Sequence, residues 1–494
     1  MSPQPGGRVV ADATEVGAIP LHSALGRVVI ATTVLGSAVA MLTATVVNVA
    51  LPTLATDLSA SSAQQQWVLN AYTLTLASLI LVGGSLGDRY GRVHVYRIGV
   101  VFFGLASLAC AVAPTIGWLI AARLLQGIGG ALLTPGSLAI IEATLATDDR
   151  AAGVGRWSGL GGVASASGPL LGGLLIDVAG WRWIFLLNLP LVVLVLFFSR
   201  RVPESSAVGA IDRRLDLGGA VLSTALLGSL SFAFIEGGSG FGRLVGVALA
   251  LSVSSALALW AVERSHPNPL FPLALLRSRR FVVANIITIV LYGGMAVVFF
   301  LLSVNLQVVG GYSALQAGAS LLPVTVLMLL FSARGGRLAG RIGPRLPLTI
   351  GPLLIAAGML LLTRVGAEPS WFTEILPAVL VFGVGLTLTV APVTSTALGA
   401  VPDDQAGTAS GFNNAAARTG GLLTVAAIPP LVGLSGSGLS DPAVLGPAFA
   451  DAVTIGAVMV AASGLLAAVT LGNKPEKLGG TPEKLGGKPE KHRT

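Results

Sequence analysis

The sequence predicts an all-α polytopic membrane protein made of two parallel six-helix bundles with two further helices inserted between them. Three observations carry this. Of the 494 residues, 53% are hydrophobic and only 11% are charged, far from the quarter or so that soluble domains carry. Apolar runs long enough to cross about 30 Å of hydrocarbon as helices recur from Val28 to Leu471. The arginines stand in the gaps between those runs rather than on one soluble unit.

Taken in order, the apolar blocks predict about fourteen spans: 28–51, 66–87, 98–114, 116–141, 156–179, 183–200, 217–236, 243–262, 282–304, 317–339, 346–363, 373–397, 407–433 and 448–472. The loop charges orient them. With the N-terminus inside, the inner gaps hold Arg89, Arg92 and Arg97, then Arg150 and Arg156, then Arg200, Arg201, Arg213 and Arg214. Further along they hold Arg264, Arg277, Arg279 and Arg280, then Arg337, Arg341 and Arg345, then the lysine-rich tail. The outer gaps hold only Arg182, Arg243 and Arg364. Such asymmetry is what the positive-inside rule demands, and it places both termini in the cytoplasm of a plasma-membrane protein.

The same placement removes the nucleic-acid reading that a net charge of +8 invites. The single cysteine, Cys110, sits in a span, and four scattered histidines offer no metal spacing, so no cofactor or metal is expected. No nucleotide-binding G-x-x-x-x-G-K-[ST] motif occurs, which argues against an ATP-driven pump. No nucleophile or acid/histidine cluster marks an enzyme. The expected organisation is a cytoplasmic segment 1–27, a first bundle 28–200, a linker 201–216, two inserted helices 217–265, a loop 266–281, a second bundle 282–472 and a tail 473–494. That tail, with its repeated Pro-Glu-Lys-rich pattern, has too little apolar surface to fold.

The duplication is written in two echoes. GGSLGDRYGR (Gly83 to Arg92) returns as GGRLAGRIGPR (Gly335 to Arg345), and ATDDRAAG (Ala146 to Gly153) as VPDDQAG (Val401 to Gly407). Both are displaced by eight spans, so six helices, two inserted and six more is the simplest account. Parallel halves related by an axis along the membrane normal form a transporter architecture with the substrate path between them.

These stretches resemble the major facilitator superfamily, and within it the fourteen-span drug:proton antiporters. The decapeptide resembles the loop signature after span two. ARLLQGIGGALLTPGSLA (Ala122 to Ala139) resembles the span-four motif with its buried arginine, and GLGGVASASGPLLGG (Gly159 to Gly173) the span-five antiporter motif. WRWIFLLNLP (Trp181 to Pro190), LTATVVNVALP (Leu42 to Pro52) and QVVGGYSALQAGASLLP (Gln307 to Pro323) resemble the fourteen-span branch.

The resemblance implies a proton-coupled exporter of small amphipathic or cationic drugs, acting as a monomer in the lipid bilayer by alternating access. It implies a gate latch at Gly84, Asp88, Arg89, Gly91 and Arg92. Arg123, with Gln126 one turn on, is expected to set the protonation of a nearby acid, since an intramembrane charge is costly unless used. Arg418 is the other deep charge. The antiporter glycines and proline, Gly168, Pro169, Gly172 and Gly173, with Gly159, Gly162 and Ser165 before them, are expected to let helix backbones touch and Pro169 to kink the span. One departure stands out. Thr43 occupies the position where the family usually has an aspartate, and threonine carries no proton; Glu142 and Asp177, on the same half as Arg123, are the next carboxylates, and the alternative is an uncoupled facilitator or a lipid or metabolite exporter. Asn48, Trp67, Asn70, Tyr72, Asn305 and Gln307 are the expected polar anchors of an otherwise apolar pathway.

Overall fold

A computed structural model describes residues 19–205, 215–238, 240–267, 269–271, 275–402 and 405–472. The expected segment 1–27 is described only from residue 19, the linker 201–216 lacks 206–214, and the tail lies outside the described residues.

The first bundle comprises α1 (Ala24–Asp57), α2 (Ser62–Tyr90), α3 (Arg92–Ala111), α4 (Ile116–Thr144), α5 (Thr147–Ala179) and the short pair α6 (Trp183–Leu186) and α7 (Asn188–Ser199). The inserted pair is α8 (Leu217–Gly237) and α9 (Arg243–Ser265). The second bundle comprises α10 (Arg279–Val308), α11 (Ala314–Ala319) running into α12 (Leu322–Ile342), α13 (Arg345–Leu362), α14 (Leu376–Leu398), α15 (Ala406–Leu431) and α16 (Pro442–Thr470). Helix starts are closed by side-chain caps where the sequence supplies them: Ser23, Thr115 and Ser278 accept from backbone N–H groups, and Ser61 with Gln64 forms a capping box. Each such cap spares orphan donors worth about 1 kcal/mol.

Among the described residues, twelve helices are long and apolar enough to span a membrane, two fewer than the fourteen spans expected. The two shortfalls have physical causes. The expected span 183–200 is broken between α6 and α7, where Pro190 lacks the N–H that would reach back to Leu186. The expected span 407–433 is a continuous 26-residue helix, α15, but Asn413, Asn414 and Arg418 dilute its hydropathy.

The duplication is visible in the contacts. In the first bundle α4 packs on α2 and α3, and α1 on α5 and α7; in the second α14 packs on α12 and α13, and α10 on α15 and α16. Glycines of the repeated decapeptide do the same work twice. A Cβ on Gly83 would collide with the Ala131 carbonyl of α4, and one on Gly335 with the Thr387 carbonyl of α14. Both copies then break the helix at a left-handed glycine, Gly91 at φ +102° and Gly343 at φ +85°, a conformation that penalises any side chain. Between halves, α2 meets α15, α5 meets α11 and α12, and α1 meets α10. The inserted helix α8 lies across the α2–α15 seam and touches both.

Candidate functional site

A buried chain of polar side chains threads the first bundle. Arg123 on α4 is 1% exposed. Its Nε donates to the Val68 carbonyl of α2 at 2.9 Å and one Nη to Gln126 Oε1 at 2.6 Å. Gln126 Nε2 donates to Ser107 Oγ on α3 at 2.7 Å, and Asn188 Nδ2 at the start of α7 donates to the same oxygen at 3.3 Å. Thr43 Oγ on α1 lies 3.1 Å from Asn188 Oδ1 and 2.8 Å from the Val39 carbonyl, and its single proton serves one at a time. The Arg123 guanidinium also stacks 4.5 Å over the Tyr72 ring. Four elements are thereby tied to α4 without a carboxylate in the chain. Neutral acceptors and a π face are what offset the cost of burying this charge.

The structure brings Arg123 and Gln126 together, one turn apart on α4. Ser107 and Asn188 were not singled out, although Asn188 lies in the quoted WRWIFLLNLP stretch. Arg418 sits on α15, with Asn414 Oδ1 3.4 Å from its Nε, and lies within electrostatic reach of Tyr72 on the other half. Two cationic side chains therefore approach one tyrosine from opposite bundles.

The expected pathway residues divide. Tyr72 is buried under Arg123 and donates to the Ala40 carbonyl at 3.3 Å, so it braces the first bundle instead of lining a path. Asn305 is fully buried and donates to the Val365 carbonyl at 3.2 Å, leaving its Oδ1 without a partner. Asn70 is buried with an unpartnered Nδ2. Gln307 crosses the seam, its Nε2 donating to the Val49 carbonyl at 3.0 Å. Asn48 and Trp67 are half-buried in α1 and α2.

The antiporter motif lies where the halves meet. Gly168 and Gly172 press against Thr45 and Val46 of α1, while Gly173 faces Ala314 and Leu315 of α11, and Gly318 of α11 lies against the Pro169 carbonyl. One turn further, Asp177 accepts from Ser313 Oγ at 2.7 Å, Leu315 N at 3.0 Å and Ala314 N at 3.2 Å. It therefore closes the N-terminus of the second bundle's α11 alongside the Ser313–Gln316 capping box. A carboxylate there meets both orphan N–H groups and the positive end of the helix. Gly159 and Gly162 do not pack as expected: together with Gly155 they have nothing within 4 Å of where a Cβ would sit. The end of α5 nearest Arg150 stands free of the second bundle, and the far end is clasped to it.

The decapeptide lies at the free, arginine-rich end. Asp88 pairs with Arg92 at 2.9 Å, within one helical turn of chain. Arg92 also donates to the Ala139 carbonyl of α4 at 3.3 Å. Arg89 stacks 5.2 Å over Tyr90, and Gly84 contacts Pro135 of α4. Beside Gly91, the carboxylate of Glu204, after α7, accepts from Val93 N and His94 N at 2.9 Å each and caps α3. Asp88 thus finds its partner within its own bundle. Glu142, exposed at the same end of α4, lies within electrostatic reach of Arg92 and Arg150.

Two parallel bundles joined through glycine-lined seams, with a deep arginine and one end of the seam shut, define a membrane transporter. The comparisons with known proteins make this specific. The chain belongs to the Major Facilitator Superfamily, whose family model matches residues 33–425. It is 37% identical over 397 residues to the puromycin resistance protein pur8 of Streptomyces alboniger, covering 78% of each chain. It is 34% identical to the multidrug resistance protein Stp of Mycobacterium tuberculosis, covering 80% of this chain and 73% of that one. It is 34% identical to the methylenomycin A resistance protein of Bacillus subtilis, covering 84% and 89%. Among solved structures, a peptide transporter POT in complex with sulfate superposes with a TM-score of 0.65 at 13% identity, covering 91% of this chain and 98% of that one. That last likeness concerns the fold alone.

Proposed function

We propose that the chain is a secondary active exporter of small amphipathic antibiotics or drugs. It belongs to the fourteen-helix branch, with the broken α6–α7 pair and the polar α15 as its two atypical spans. It works by alternating access, as a monomer in the plasma membrane with both termini cytoplasmic. The carrying observation is the asymmetry of α5: clasped to α11 at Asp177 and free at Gly155, Gly159 and Gly162. In this orientation the cavity opens to the cytoplasm, where an exporter collects its load. The resistance proteins to which the chain is similar support the same direction.

The decapeptide then acts as the inner latch. In the inward-open pose Asp88 is held by Arg92, and closing the inner side releases it to meet the second bundle. Protons are exchanged through Glu142, the carboxylate set among Arg92 and Arg150. A second reading, uncoupled export, is favoured by one observation: the network at Thr43 holds no group that ionises between pH 5 and 8. The membrane potential alone supplies about 2.3 kcal/mol per charge per 100 mV.

The test is a susceptibility profile of a sensitive host expressing the chain, paired with efflux from loaded cells. Raised tolerance with faster efflux is expected, and efflux should slow when a protonophore collapses the gradient. Efflux that ignores the protonophore removes proton exchange, and unchanged tolerance across the panel removes export.

A further inference from the structure

Resting on the export reading, we infer that the transported molecule is an anionic amphiphile, bearing a carboxylate or an acidic phenol, and not a cation. The inference comes from where fixed charge lies across the seam between the bundles. Two guanidiniums lie on the helices that flank α2 at this seam: Arg123, buried on α4 against Val68 and Tyr72, and Arg418, half-buried on α15, which packs on α2. Among the described residues neither has a carboxylate within ion-pair distance, unlike Arg92 with Asp88 and Arg182 with Asp57. Arg123 is met by a carbonyl, an amide oxygen and the Tyr72 face. Arg418 has the Asn414 oxygen at 3.4 Å, a long contact for a charged donor. Both act electrostatically on Tyr72, so their fields overlap.

The described acids lie elsewhere. Asp88, Glu142 and Glu263 sit at the arginine-rich ends of α2, α4 and α9; Asp57, Asp177 and Glu374 lie at the opposite end of the bundle, as does Glu236 in the last turn of the seam-crossing α8. Asp451 is deeper, but it shares the exposed apolar stripe of α16 with Val444, Ile455, Val458 and Val469, turned outward from the bundle. The rim arginines, Arg27 and Arg156 among them, carry no weight in this inference, because the positive-inside rule alone accounts for them.

Two unneutralised positive charges in a low-dielectric seam repel a cationic load and stabilise an anionic one, because field there is weakly screened. Arg418 supplies the direct contact: its guanidinium keeps donors to spare and presents a fork suited to a carboxylate. Arg123, locked by its three partners, supplies field from behind the Tyr72 ring. The direction of transport agrees with this charge. An anion leaving a cell that is negative inside moves down the electrical gradient, so export proceeds without a proton-carrying acid in the Arg123 network.

The test uses the purified full chain in liposomes, with inward-facing transporters loaded from outside with fluorescein, anionic at neutral pH, or ethidium, a permanent cation. Fluorescein transport is expected to exceed ethidium transport by about tenfold, the equivalent of about 1.4 kcal/mol. Arg418→Gln is expected to lower fluorescein transport about tenfold, while Arg418→Lys keeps most of it; monodisperse elution in detergent controls for folding. A potential positive on the trans side should accelerate fluorescein and slow ethidium. Transport of ethidium with fluorescein at the level of protein-free liposomes overturns the anion assignment and leaves export standing. Equal fluorescein rates in Arg418→Gln and the unsubstituted chain overturn the role of Arg418, and with it the assignment. Movement of neither probe removes the export reading and the assignment together.

Discussion

One helix, α5, is packed in opposite ways at its two ends. From Gly168 to Asp177 it is pressed between α1 and α11, its glycines packed against the Thr45 and Val46 side chains and the Ala314 carbonyl, and its last carboxylate placed on a neighbour's N-terminus. Further back, Gly155, Gly159 and Gly162 face open space, and only Gly161 of that stretch's glycines meets a neighbour, Met41 of α1. The same residue type therefore has two meanings. At Gly173 glycine is a steric requirement of a closed seam, and at Gly159 it is room kept for a seam that closes in the other pose. Small-residue spacing marks helices that touch, but it does not say in which conformation.

The largest expected effect comes from filling the packed end. A Cβ on Gly173 would stand 2.6 Å from Leu315 Cα, so Gly173→Val should cost about 1–3 kcal/mol by overpacking and abolish resistance in a susceptibility assay. Gly159→Val, fourteen residues back on the same helix, should leave thermal stability within about 0.5 kcal/mol while still slowing turnover. Equal stability losses at the two positions would mean that the inner half of α5 is packed after all.

Next come the two clasps. Asp177→Asn removes a charge from the N-terminus of α11 and should weaken the outer seal by about 1 kcal/mol, shifting the protein toward the outward-open pose. Asp88→Asn should act in the opposite sense: its partner Arg92 is in its own bundle here, so the inward-open pose is untouched and the closed-inside pose loses its latch. Accessibility of cysteines placed on the two faces, read by thiol labelling, should move in opposite directions in these variants. Movement in the same direction would break the comparison. The smallest effect belongs to the second decapeptide copy. Gly340 stands where the first copy has Asp88, so Gly340→Ala should change transport rate less than twofold, well under 1 kcal/mol.

Much of this was legible before any coordinates. Apolar run length and loop arginines define the helices, because both answer to the bilayer itself. The two decapeptides announced the duplication, and Gly83 and Gly335 do occupy equivalent contacts. Arg123 and Gln126 were legible because a charge and an amide one turn apart in an apolar run have few explanations. Thr43, Ser107 and Asn188 were not, since each is an ordinary residue in its own segment and their convergence depends on how α1, α3 and α7 pack. Glu204 was hidden for the same reason: nothing in its loop says that it caps a helix 111 residues earlier. Asp177 was readable as a carboxylate near a span end, but its three partners lie 136 to 138 residues away on the other half.

The central claim, that the two ends of α5 open and close in alternation, is tested most directly by spin-label distances across the seam. One pair joins Val178 to Phe372, and the other joins Leu160 to Leu338, all exposed positions, with the buried native thiol at Cys110 left unlabelled. The account predicts a short Val178–Phe372 and a long Leu160–Leu338 distance at rest, and a reciprocal exchange of the two in the Asp177→Asn variant or on adding substrate. Distances that lengthen together, or a single fixed pair in every condition, would contradict it.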